Sequence, residues 1–104
     1  MRMWMVPPRK MCRKHLLGEH VEIHMAVATL RLGKSVAGFL EKGLLELSNL
    51  RSRHDELVAE MLRRGYRHNS PLGRVPRRTE GKVNRRANSR ELARRCPDCA
   101  SLIS

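Results

Sequence analysis

His15, Glu19 and Glu22 are separated by four and three residues, so on a helix the imidazole and both carboxylates project from one face. Such a face can move protons and hold positive charge. His20 and His24 form a second pair four apart, with Glu22 between them in His20-Val21-Glu22-Ile23-His24. A metalloprotease helix places its glutamate directly after the first histidine, so this order argues against a zinc hydrolase. By periodicity alone the same residues also describe the solvated face of an amphipathic helix. Further along, Cys96-x-x-Cys99 is half of a zinc knuckle, and Cys12-x-x-His15 supplies a second pair at that spacing. A Cys3His site joining the two is conceivable. A redox or disulfide role, and unligated thiols, stay open beside it.

A helix must carry these groups, and Leu17, Val21, Met25, Ala28 and Leu32 recur at helical spacing to form one apolar stripe. The pattern predicts a first helix from about Arg9 to Arg31, entered through Pro7-Pro8 and stopped at Gly33. Ser35 is a candidate cap for a short helical piece through Leu40. Leu44, Leu47, Leu50, His54, Leu57, Met61 and Leu62 then mark a second long amphipathic helix ending at Gly65. Pro71, Gly73 and Pro76 give residues Tyr66 to Arg78 the character of an extended, mobile basic loop. Asn88 with Glu91 three positions on resembles a capping box for a short third helix to about Arg95, and Cys96-Pro97-Asp98-Cys99 reads as a tight turn. The expected fold is mainly α: a single compact domain of two long helices and a short third, spanning residues 1–95, with 96–104 as a short tail.

Composition sets the limits on function. A chain of 104 residues allows one domain, which excludes two-domain enzymes. Aromatics are only 3% (Trp4, Phe39, Tyr66), so Leu, Val, Met and Ala must build the core, which favours helices over sheets. There is no apolar run of about 18 residues and no apolar signal core, and the expectation is a chain of the cytoplasm with reduced thiols. The net charge of +12 points to a polyanion, with nucleic acid first. It is unevenly spread: Met1–Leu62 holds 10 basic and 7 acidic residues, Arg63–Arg95 holds 12 and 2. Arg2, Arg9, Lys10, Arg13 and Lys14 on one side, and Arg63, Arg64, Arg67, Arg74, Arg77, Arg78, Arg85 and Arg86 on the other, are the candidate phosphate contacts. Trp4 and Tyr66 are candidates either for stacking on bases or for packing at the core edge.

The order Met1-Arg2-Met3-Trp4, then His15-x-x-x-Glu19-x-x-Glu22, then Arg51-x-Arg53-x-x-Glu56-Leu57-Val58-Ala59-Glu60-x-Leu62-x-Arg64-Gly65-Tyr66 resembles the pyrimidine dimer DNA glycosylases, the endonuclease V type phage repair enzymes. The likeness runs from about Met1 to Leu72. It implies a compact, mainly helical enzyme whose N-terminal α-amine is the nucleophile, which puts Met1 in that role. It places Glu22 beside the amine, with His15 and Glu19 on the same helix face. An α-amine titrates at about 7.7–8.0 against about 10.4 for lysine, so part of it is nucleophilic near neutrality without burial. Arg2 disfavours removal of Met1, so a retained Met1 is expected. The implied reaction is attack on sugar C1′, departure of the damaged base, an imine to the deoxyribose and elimination 3′ to the lesion. Two positions depart from the family pattern: its arginine before the catalytic glutamate is Val21 here, and its aromatic C-terminal tail has no counterpart.

The resemblance implies a monomer acting on damaged double-stranded DNA in the cytoplasm of a bacterial cell or phage-infected host. It requires no cofactor and leaves a structural zinc at Cys96 and Cys99 open. The alternative is a non-catalytic basic DNA-binding protein using the Asn88–Arg95 helix for recognition; a ribosome-associated RNA binder is a third reading. Glu22 beside a free Met1 amine separates them, because a binding module needs neither.

Overall fold

A computed structural model describes Met1–Ser104. Five α-helices, α1 (Arg13–Arg31), α2 (Ala37–Glu41), α3 (Leu50–Arg63), α4 (Arg85–Arg95) and α5 (Pro97–Ile103), combine with 3-10 turns at Pro8–Lys10 and Leu47–Asn49. The fold is all-α, and no helix is long and apolar enough to cross a membrane.

The helix stops follow the glycines. Gly33 (φ 72°) and Gly65 (φ 84°) are left-handed, and each closes a helix with paired bonds. Gly33 and Lys34 amides reach Leu30 and Thr29 carbonyls, and Gly65 and Tyr66 amides reach Leu62 and Met61. The start of the first helix is later than expected, because Pro8–Lys10 is a 3-10 turn and Met11–Cys12 break the chain before Arg13. The N-cap of α2 is Val36 rather than Ser35, although the Ser35 hydroxyl does accept from the Ala37 amide at 3.1 Å.

The packing face of α1 differs from the expected one. Leu16, Glu19, His20, Ile23, Ala26, Val27 and Leu30 are buried, whereas Val21, Met25 and Leu32 are 55%, 51% and 70% exposed. The cause is an ion pair at the α1–α3 contact: Arg53 donates through Nε and Nη2 to Glu19 at 2.6 and 2.9 Å, with side chains 1% and 0% exposed. Burial opposes the guanidinium charge, but Glu19 outweighs it and raises the Arg53 pKa. A charged pair thus takes the place that apolar periodicity assigns to the Val21–Met25 stripe.

The second long helix also begins later than expected. Leu44–Glu46 run extended because other segments take their backbone groups: Met3 donates to the Leu44 carbonyl at 2.8 Å, and Leu47 to that of Glu80 at 3.0 Å. Glu46 accepts from the Val83 amide at 2.9 Å and from Arg85 at 3.1 Å, fixing the entry to α4. That helix is capped by Asn84, whose side chain accepts from Ala87. Asn88 is not the cap: it lies buried inside α4, and Glu91 pairs with Arg94 and Arg95. Cys96 opens α5 rather than a bare turn. The 66–84 connector is extended, with Leu72 buried and its carbonyl, with that of Arg74, held by Arg31.

Met3–Val6 thread through the middle of the core, each no more than 7% exposed. Met5 adopts φ 57° there, a conformation uncommon for a non-glycine residue.

Candidate active site

The buried segment Met3–Val6 delivers Met1 and Arg2 to the rim of a cleft of about 420 Å³. Its walls come from Met1, Arg2 and Trp4, from Lys14, His15, Gly18, Glu19 and Glu22 on α1, and from Leu44 and Arg95. Glu22 accepts the Arg2 amide through Oε2 at 3.0 Å, so one carboxylate oxygen is tied to the residue next to the terminal amine. Asn88 holds this segment from the other side. Its Nδ2 donates to the Met3 and Trp4 carbonyls at 3.3 and 3.1 Å, and its Oδ1 accepts from Arg2 at 2.9 Å. The Arg2 guanidinium stacks 3.7 Å from the Trp4 ring centre, and that of Arg95 lies 5.7 Å from it.

All four residues expected at the reaction centre line this cleft, but their surroundings differ. Glu22 and Met1 are half-buried. Glu19 reaches the cleft wall while both its carboxylate oxygens are engaged by Arg53. His15 packs edge-on to Trp4 at 6.0 Å, and its Nδ1 lies 3.2 Å from the Cys12 sulfur and 3.6 Å from that of Cys99. Burial, with Lys14 and Arg95 nearby, lowers the His15 pKa, which favours the neutral ring.

Cys12, His15, Cys96 and Cys99 bring one donor each within 4.8 Å of one another. Sulfurs of Cys12 and Cys96 lie 3.9 Å apart. Tetrahedral zinc with its usual bond lengths sets sulfurs about 3.8 Å apart and sulfur and nitrogen about 3.5 Å apart, so the donor set fits a metal ion. Burial pushes the Cys99 thiol up to about 12, while the Cys99 amide, donating to the Cys96 sulfur, lowers Cys96. Spacing marked both pairs, Cys12-x-x-His15 and Cys96-x-x-Cys99, and the structure brings the two together.

The basic residues fall into three groups. Arg2 and Lys14 line the cleft, joined there by Arg95, which sequence reasoning did not single out. Arg9, Arg13, Arg67, Arg74, Arg77 and Arg86 are exposed and Lys10 is half-buried; Arg13 lies over Tyr66 at 4.5 Å. The rest are engaged within the protein: Arg63 and Arg64 with Glu60, Arg78 with Glu80, and Arg85 with Glu46. Arg64 also donates to the Pro8 and Met11 carbonyls at 3.1 and 2.7 Å.

The chain is a helical globule whose N-terminal segment leads to a carboxylate-bearing cleft. The family model described as pyrimidine dimer DNA glycosylase matches residues 1–73, and the chain belongs to that family. Searches of the curated proteins and of the solved structures give no match.

Proposed function

We propose that this DNA repair glycosylase excises damaged pyrimidines from double-stranded DNA, with the α-amine of Met1 as nucleophile and Glu22 as its catalytic carboxylate. The observation that carries this reading is the 3.0 Å bond from the Arg2 amide to Glu22, on the wall of a cleft shared with Met1. The neutral amine attacks C1′, and the bond to the base breaks with its electron pair leaving on the base. Positive charge that develops on the sugar faces Glu22. Loss of the amine proton and opening of the ring give the imine, and removal of a C2′ proton, with Glu22 as base, expels the 3′ phosphate. Arg2 and Arg95, seated over the buried Trp4 ring, supply a cationic wall for the displaced nucleotide.

Zinc at Cys12, His15, Cys96 and Cys99 would act as a structural staple between the start of α1 and α5. With Nδ1 turned to the sulfurs, the other ring nitrogen of His15 is the one left for the cleft. The enzyme works as a monomer in the cytoplasm.

Borohydride trapping on ultraviolet-irradiated duplex DNA tests the reaction. The expected product is a covalent complex whose adduct maps to Met1 by mass spectrometry. An uncleaved N-terminal extension should abolish trapping and leave DNA affinity in place. An adduct on a lysine, or full activity in the extended protein, removes the α-amine from the mechanism.

A further inference from the structure

A second cluster of donors lies between α1 and α3. His20 and His24 stand one turn apart on α1, His54 comes from α3, and His68 from the connector that follows. The His20 ring centre is 4.7, 5.0 and 4.9 Å from those of His24, His54 and His68. His54 is 5.1 Å from His24 and 5.3 Å from His68. One ring nitrogen of each lies within 4.8 Å of the other three.

The arrangement leaves polar atoms unanswered. Nε2 of His24 and Nε2 of His54 are buried with no hydrogen-bond partner, a costly state for a ring nitrogen. Nε2 of His20 and of His68 face each other at 3.0 Å. Tetrahedral zinc sets its nitrogen ligands about 3.3–3.4 Å apart, so a small relaxation opens the cluster to an ion that answers all four. Asp55 stands behind His54, its Oδ1 3.0 Å from Nδ1. A carboxylate accepting that N–H fixes the tautomer with the Nε2 lone pair turned inward, the support that metal-binding histidines usually have.

We propose that His20, His24, His54 and His68 form a metal site for a divalent cation that favours imidazole, with Zn2+ the ion best suited. Imidazole suits zinc, copper, nickel and iron, and a full set of four protein donors is the pattern of a structural site rather than a catalytic one. Its effect is to fasten the connector at His68 onto the α1–α3 pair, beside Arg67. The site is chemically distinct from the Cys12–Cys99 cluster: four neutral donors leave the ion its charge of two, whereas three thiolates reverse it.

That difference makes the two sites separable in one titration of the metal-stripped full chain with Co2+. The expected result is two equivalents bound, one with near-ultraviolet thiolate-to-cobalt charge transfer and one with visible ligand-field bands alone. His68→Gln, at a half-buried position outside the helices, should lose the second equivalent and keep the charge transfer. Cys96→Ser should weaken the charge transfer and keep the histidine equivalent. Asp55→Asn should weaken the second equivalent by about 10- to 100-fold. Thermal melts in chelator establish that each variant folds, and Zn2+ should raise Tm less in His68→Gln than in the parent. Binding only with charge transfer, at a stoichiometry unchanged in His68→Gln and His24→Gln, overturns the proposal; so does a parent that takes up no cobalt in the histidine-only form.

Discussion

Glu19 and Glu22 sit three residues apart on α1 and both reach the cleft, yet their partners set them to different work. Glu22 keeps one oxygen on a backbone amide and presents a half-buried carboxylate to the terminus. Glu22→Gln preserves the shape and removes the charge, so excision should fall by at least about two decades, the scale set by a removed electrostatic group in a water-poor site. Binding to damaged duplex should change little; single-turnover cleavage and equilibrium binding measure the two separately. Glu19→Gln should spare more activity and cost more stability. It leaves the buried Arg53 guanidinium half-paired, a loss of about 3–5 kcal/mol when a buried pair is broken, readable as a lower urea midpoint. Glu19 is a positioning residue on this reading: it holds α1 against α3 and so sets where Glu22 stands.

At the scale of elements, the end of α3 is tied to the entrance of α1 through Glu60. Hydrogen bonds from Arg63, against the cost of burial, and then from Arg64 hold its pKa at about 2, and Arg64 passes the connection to the Pro8 and Met11 carbonyls. A carboxylate depressed in the folded state stabilises the fold above its unfolded pKa, near 4.5, and loses that contribution as pH falls toward about 2. Because Arg63 is largely in solvent, the full shift overstates the gain, and about 1–2 kcal/mol is expected at neutral pH. Glu60→Gln should therefore lower the urea midpoint at pH 7, and the gap to the parent should close in the acid range. The elements show where sequence was informative. Helix ends at Gly33 and Gly65 were legible because a left-handed residue is a local requirement. The family resemblance likewise carried Met1, Glu22, His15 and Glu19 to one cleft. The buried face of α1 was not legible, since periodicity sees residue types and an apolar stripe outranks Glu19 and His20 until Arg53 of another helix is known to meet them. The cap of α4 was lost in the same way: Asn84 and Asn88 carry the same side chain, and Glu91 suggested a reciprocal box while pairing instead with Arg94 and Arg95. The histidine cluster draws one member from α3 and one from the connector, so no local pattern announces it.

The whole molecule measures 39 × 31 × 16 Å, a slab whose broad faces leave few of its cations far from solvent. A net charge of +12 on this body should make DNA binding strongly salt-dependent, with a log-log slope of magnitude roughly 4 to 7 if about 5 to 8 phosphates are neutralised. Arg77 is exposed and Arg78 already shares its charge with Glu80, so replacing both by alanine should lower the slope by about 1 to 2, nearer the smaller figure. Damaged and undamaged duplexes should weaken alike, because phosphate contacts carry no lesion information. Titrations at several salt concentrations check this; loss of lesion discrimination alone would move the phosphate contacts elsewhere on the slab.

The threaded segment Met3–Val6 also bears on how the protein comes into being. Asn88, which grips the Met3 and Trp4 carbonyls, lies 85 and 84 residues downstream of them. At ribosomal rates of about 5–20 residues per second, that partner emerges roughly 4 to 17 seconds after the segment it must hold. During that interval the segment's apolar side chains have no finished core to enter, and the contact with Asn88 closes one of the longest loops in the chain. A nascent or truncated chain ending before α4 therefore carries Met1 and Glu22 without the Asn88 side chain that braces the segment between Met1 and the core.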